Sequence, residues 1–445
     1  MDNINATICN IISNSLWGAD EKIDAAPLSM ADWTELKAEL NSQTVAGIPL
    51  EYMMNNMALE EDVKADVSLT AFAQVGVWTR LMEAQQNLIN LLADNGIDMA
   101  VIKGIVAGIN YPKPEYRAMG DVDFFVRKKD FVRTFQLLMD NGYEAPDGDF
   151  IAAKEISDDK YHHVELTKDG VIFELHKAMA SAGTGQAYDE HFHNIIEESL
   201  DRIDQITVDR YTIPVFPAMV NGLIFIRHII QHLAESKGIG LRHLLDWMMF
   251  VDQYVDDNYW YGGTLDGTSA AGSGTLDGTP VPETGTLDGT PAAKNSFQSC
   301  VDSIGLKDAA IVMTRICQLH LGLSTESITW CADADEQLCE DIFAIIMNGG
   351  NFGRKNAQEN EGANVLYKNK SVFGFFASLQ DLGIRNWTFG RKHAVLRPFA
   401  WLYQICRYIR KGLFRKHPIR SLREDIAKSK GKRTVIERLN VKKDD

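Results

Sequence analysis

The hydrophobic rhythm of the chain changes three times. Over residues 30–95 apolar positions recur at helical spacing. Trp33, Leu36 and Leu40 share one face, and Phe72, Val75, Val77, Leu81, Leu88, Leu91 and Leu92 predict a long amphipathic helix. Asn95-Gly96 supplies the stop, since these residue types favour the position just past a helix end. A strand grammar then begins. Residues 97–103 predict a short apolar strand, Gly104 a turn into a helix reaching Tyr111, and residues 121–126 a second strand beyond the breakers Pro112 and Pro114. Residues 129–141 predict a helix that Gly142 closes. Residues 162–166 and 171–175 flank Lys168-Asp169-Gly170 as a hairpin. Helical periodicity returns over 217–259, 295–350 and 364–445.

This order predicts a mixed α+β architecture, a small sheet core embedded in helical N- and C-terminal segments. Four parts follow: a helical segment 1–95, a mixed core 96–215, a helical region 216–350 and a C-terminal helical segment 351–445 ending in a basic tail. The stretch 262–294 interrupts the third. GTLDGT starts at Gly263, Gly274 and Gly285, and small polar residues dominate, so the stretch cannot build a core and predicts a loop inserted between helices. Calcium-binding Asp-Gly repeats are shorter and keep an apolar strand position, which these lack.

Composition removes several classes. With 445 residues, 45% hydrophobic and 24% charged, the chain has apolar material for a sizeable core. The net charge of −16 hides an asymmetry: residues 391–445 carry +12, leaving −28 on the rest. An acidic body argues against duplex nucleic acid, whose affinity rests on many phosphate contacts. The basic amphipathic tail, with Trp401, Tyr403, Ile405 and Tyr408 off any single face, reads first as a helix packed on the body. An anionic membrane surface or a polyanionic glycan is the second reading. Six cysteines without a CxxC pair exclude a disulfide scaffold and a zinc finger, and fit reduced thiols in a cytoplasmic protein. No run of about 18 apolar residues predicts a membrane span, and the N-terminus does not read as a signal peptide.

The candidate chemistry lies in carboxylates. Asp121 and Asp123, two apart at the start of an apolar strand, face the same way. Their repulsion calls for a cation between them, and hard oxygen ligands suit Mg²⁺ or Mn²⁺. By the same logic, neutralising Asp123 should leave folding unchanged or improved. Glu174 lies in an apolar strand, VIFELH, and shares its face with His176. If the hairpin pairs beside DVDFFV, three carboxylates converge into a site for one or two metals. Lys103-Gly104 is the other half: the glycine lets backbone approach a ligand, the helix start offers N–H groups, and Lys103, with Arg117 or Lys113, adds positive charge for phosphates. A lone Asp-x-Asp is commonly a surface turn, and a lone strand glutamate is as often a cross-strand ion pair. The order and spacing of the whole set favour the metal site.

At these residues the chain resembles the nucleotidyltransferase superfamily of the DNA polymerase β type. More closely it resembles an uncharacterised bacterial nucleotidyltransferase family often encoded near polysaccharide biosynthesis genes. The residues that carry the likeness are Lys103-Gly104, Tyr111, Arg117, Asp121, Asp123 and Glu174-Leu175-His176. The likeness extends over about 30–400 and marks 96–215 as the catalytic core. It implies metal-dependent transfer of a nucleoside monophosphate from an NTP to an acceptor, with release of pyrophosphate. Asp121, Asp123 and Glu174 would be the catalytic metal ligands, and Lys103, Gly104 and Arg117 the phosphate contacts. Two departures stand out: Ile105 follows Gly104 where better-known members carry serine, and the third acid is Glu174 where aspartate is common. The rival readings are a non-catalytic NTP-binding or regulatory protein and a cell-envelope accessory protein on the same fold.

Other candidates are weaker. His228 and His232, at i and i+4, could share a zinc ion, but Ile229 replaces the glutamate of an HExxH helix, so packing or hydrogen bonding is the reading taken. Arg242 and Asp246 predict an ion pair on a helix surface, with Arg242 also a candidate nucleotide contact. Of His162 and His163 only one can point inward. Phe352, in the loop Asn351-Phe352-Gly353-Arg354, reads as buried, and the loop is a weaker candidate substrate contact.

Overall fold

The computed structural model describes residues 3–18, 23–145, 162–234, 238–262, 296–351, 393–413 and 434–442, with short pieces between 376 and 390. The first helices are α1 (Asn3–Trp17), α2 (Met30–Ser42), α3 (Leu50–Asn56) and α4 (Glu61–Asp94). A two-stranded parallel sheet, β1 (Ile23–Leu28) with β2 (Met57–Leu59), lies among them. The core follows: β3 (Met99–Val101), α5 (Gly104–Gly108), β4 (Asp121–Val126), α6 (Phe131–Asp140), β5 (His163–Lys168), β6 (Val171–His176), α7 (Gln186–Ser199), β7 (Asp204–Val208) and β8 (Tyr211–Val215). Two long helices, α8 (Ala218–Ala234) and α9 (Leu241–Tyr254), come next, followed by further helices. Among the described residues no helix is long and apolar enough to cross a membrane, and all six cysteines are free.

The mixed sheet has the order β5-β6-β4-β3-β8-β7. β4 sits inside it, parallel to β6 and antiparallel to β3. Its Val122, Phe124, Phe125 and Val126 are at most 1% exposed. That explains why DVDFFV reads as an apolar run rather than an alternating strand: both faces are covered. β7 and β8 were not anticipated, yet they extend the sheet through parallel pairing of β8 with β3. Their signal was present: Asp209-Arg210 joins two apolar-alternating runs, and Asp209 takes a positive φ of 52° as a tight turn requires.

Two expectations need correction. The helix after Gly104 is a single turn ending at Gly108, well short of Tyr111. In α4 the stripe from Phe72 is only partly core. Leu81, Leu88 and Leu92 are buried, as is Trp78 outside that stripe, but Phe72 is 81% exposed and Val77 also stands out. Val63, Val67, Trp78, Leu81, Leu88 and Leu92 lie on one side of this 34-residue helix, and Phe72 falls about half a turn away from them. The insert 263–294, Phe352–Gly353–Arg354 and residues 414–433 and 443–445 of the tail lie outside the described residues.

α8 and α9 are buried on most of their surface, polar residues such as Arg227, His243 and Asp246 included. They pack through Gly222, where a Cβ would lie 2.4 Å from two atoms of the Phe250 ring and 2.9 Å from Phe297. Both rings are fully buried and cannot swing aside. Gly222→Ala is therefore expected to cost about 1–3 kcal/mol. Urea unfolding checks this, and an unchanged midpoint would mean the helices are not in close contact there.

Candidate functional site

Strand pairing builds the site. In the β4–β6 ladder Asp123 lies opposite Glu174 and Asp121 opposite Ile172, so Asp121, Asp123 and Glu174 share one face of adjacent strands. His176 occupies the next rung of that face. β5 brings His163 opposite His176, with ring centroids 5.0 Å apart. Of the two neighbouring histidines it is thus His163 that points inward, its Nε2 3.9 Å from Glu174 Oε1.

β3 delivers the cation. The backbone N–H of Ile102 donates to the carbonyl of Asp123 at 3.0 Å, and the chain then leaves the sheet. Lys103 adopts φ 57°, ψ −133°, a sparsely populated conformation for a side-chain-bearing residue, followed by Gly104 at φ 33°. Such strain costs on the order of 1–3 kcal/mol and persists where its surroundings impose it. Here it aims Lys103 Nζ at Asp123 Oδ1, 2.7 Å away. A Cβ on Gly104 would meet only Met119 Cε at 3.4 Å, so backbone conformation rather than crowding calls for glycine.

The charges are unevenly settled. Asp123 accepts from both Lys103 and His176, the latter at 2.9 Å. His176 Nε2 also lies 3.2 Å from Glu174. Burial works against the charge on Lys103, but Asp123, Glu174 and Asp121 outweigh it and raise its pKa. Burial and Lys103 likewise oppose a charged His176, yet its two carboxylate partners hold its pKa above the ordinary value. Burial would raise the pKa of Glu174, but His176 and Lys103 hold it well below the usual range. Burial, assisted by His176, pushes His163 down to about 4 and keeps it neutral. Asp121 is the member left over. It has no hydrogen-bond or ion-pair partner among the described residues, and burial together with Asp123 and Glu174 pushes its pKa up to about 6. Relief of repulsion therefore belongs to Asp121; Asp123, which anchors Lys103 and His176, is not free to be neutralised without loss.

A second charged layer lies behind. Arg117 is 3% exposed and forks onto Asp246, with Nε–Oδ1 at 3.0 Å and Nη2–Oδ2 at 2.6 Å. Tyr111 donates to the same carboxylate at 2.8 Å. This corrects the expected Arg242–Asp246 surface pair. α9 is buried, and Arg117 takes Asp246 because two parallel N–H···O bonds outcompete one turn of helical proximity. Arg242 instead donates to the Ala118 carbonyl at 3.2 Å, and its Nε is buried without a hydrogen-bond partner among the described residues. Burial and Arg117 lower its pKa. Lys113 pairs with Glu51 at 2.6 Å. His228 and His232 are hydrogen-bonded, Nε2 to Nε2, at 2.8 Å, and His243 of α9 joins them, which the sequence reading did not foresee.

Two outcomes follow. Asp246→Ala leaves the Arg117 charge buried and unpaired, and is expected to cost about 3–5 kcal/mol in urea unfolding. A loss under ~1 kcal/mol would show that Arg117 finds water. For Asp121 the raised pKa means a stabilising contribution present below pH 4 and lost as pH rises through about 6. In metal-free buffer Asp121→Asn is therefore expected to exceed the parent in stability at pH 7.5, by about 3 kcal/mol at most, with the gap closing by pH 4. A gap independent of pH between 4 and 7.5 would rule out this cause.

A family model described as an uncharacterised nucleotidyltransferase matches residues 29–261, just over half of the chain, while no curated protein matches it significantly. The matched span contains Lys103, Asp121, Asp123, Glu174, Arg242 and both histidine-bearing helices. The chain belongs to this uncharacterised nucleotidyltransferase family.

Proposed function

We propose that this chain transfers a nucleoside monophosphate from an NTP to an acceptor nucleophile, releasing pyrophosphate, on a polymerase-β-like core. The observation that carries the reading is the convergence of Asp121, Asp123 and Glu174 on adjacent strands within reach of Lys103. The donor set fits a divalent cation. Three carboxylates offer hard oxygens, and Asp121, half-buried and without a hydrogen-bond or ion-pair partner among the described residues, gains most from a nearby positive charge. Asp121, Asp123 and Glu174 would hold Mg²⁺ or Mn²⁺, which supplies charge neutralisation for the phosphates and a more acidic acceptor hydroxyl.

The chain's own residues divide the remaining work. Glu174, kept ionised by His176 and Lys103, suits a ligand better than a proton acceptor. Lys103, half-buried and fixed by its backbone, presents its charge where phosphate oxygens would lie. Arg242, with its Nε unmatched, is the second phosphate contact. Arg117 acts through Asp246 and Tyr111, holding the loop that precedes β4, so it positions the site instead of touching nucleotide. With a single turn in α5, the helix terminus contributes less than the Lys103 side chain.

The test is pyrophosphate release from each of four labelled NTPs with Mg²⁺ or Mn²⁺ and cell extract as acceptor source. Label should transfer to a discrete acceptor, and Asp123→Asn should lower turnover at least ~100-fold, the upper end of what supporting residues around a metal cost. Tight NTP binding with no transfer on any acceptor would favour the non-catalytic reading.

A further inference from the structure

The three histidines lie apart from the carboxylates and ask for their own explanation. His228 and His232 are i and i+4 on α8, so their rings fall on one face. α9 crosses that face and adds His243, whose ring centroid is 5.0 Å from each of the others. One ring nitrogen from each residue lies within 4.8 Å of the other two.

We propose that His228, His232 and His243 form a second metal site, taking Zn²⁺ through three neutral imidazoles and leaving a fourth position for an anion. Tetrahedral zinc with Zn–N of about 2.0–2.1 Å sets its nitrogens about 3.3 Å apart. The His228–His232 pair, now 2.8 Å, opens by about half an ångström, and His243 closes in, both within reach of side-chain torsions. The helices that carry the rings are packed and buried, so the frame is rigid before the ion arrives. Burial also drives the pKa of His228 and His243 well down, favouring the neutral, ligating form. The donor type separates this site from the first: three nitrogens suit borderline zinc and not Mg²⁺.

The surrounding charges define the fourth ligand. Lys103 and Arg242 bear on His228, and Arg242 and Arg117 on His243. Three neutral ligands do nothing to offset a dication beside these cations, so the remaining position calls for an anionic oxygen, a phosphate or a hydroxide. His228 is half-buried where His232 and His243 are buried, so the fourth position is placed on its side of the trio.

The proposal does not rest on the transfer reaction, and its test does not read activity. The full chain, prepared without a polyhistidine tag, is loaded with zinc, desalted and assayed by plasma mass spectrometry. About one zinc per chain is expected. Co²⁺ loading should produce the intense visible absorption of a tetrahedral nitrogen site, and inorganic phosphate should shift that spectrum. His228→Gln, at the partly exposed position, and His232→Gln should both lose the metal and the absorption while keeping the parent circular dichroism. Asp121→Asn should keep them. Zinc well below one per chain, absorption that survives in both histidine variants, or absorption lost in Asp121→Asn would each overturn the proposal. A cobalt spectrum indifferent to phosphate would overturn the open anionic position.

Discussion

Three acidic side chains held on neighbouring strands create a concentration of negative charge that the fold must compensate. Asp123 and Glu174 are opposed in a parallel ladder and cannot move apart without breaking it. Lys103 is brought in at the cost of an unfavourable backbone conformation, and His176 is held between both carboxylates. Compensation stops one residue short. Asp121 makes no hydrogen bond or ion pair among the described residues, and burial with two like charges outweighs the attraction of Lys103 and Arg242. Backbone strain at Lys103 and an under-compensated carboxylate at Asp121 are features that cluster at functional sites.

A second constraint ties this sheet to the helices. The Arg117–Asp246 fork, with Tyr111 on the same carboxylate, fastens the loop before β4 to the middle of α9. Buried pairs of this kind contribute little net stability but tolerate no loss of one partner, so they set position more than they hold the fold together. The consequence for the site is a redistribution of cations. Arg117 is spent on positioning, and Lys103 and Arg242 are left facing the carboxylates. The histidine trio lies close enough to feel the same two cations, so any charge placed on it is electrically coupled to the carboxylates.

The elements that were legible in the sequence were those whose signal is local. The apolar run around Asp121 and Asp123, the Lys168-Asp169-Gly170 turn and the shared face of Glu174 and His176 all depend on residues within a few positions, and each is found as read. What escaped the reading depended on partners far along the chain. The strands around Asp209 became part of the sheet only by pairing with β3, more than a hundred residues earlier. Phe72 is exposed because packing against distant elements claimed the opposite side of α4, the side that carries Val67 and Trp78.

The sequence by itself determined which residue types stood ready for chemistry and which way they faced along each element, because strand and helix periods are properties of the backbone. Only the tertiary structure decided who met whom. Arg242 and Asp246 sit one helical turn apart, yet Asp246 went to Arg117, 129 positions away, since a bidentate ion pair in a dry interior outweighs proximity on a helix. His243 joined His228 and His232 for the same reason: helix packing, which no short stretch of sequence encodes, set the distance between them.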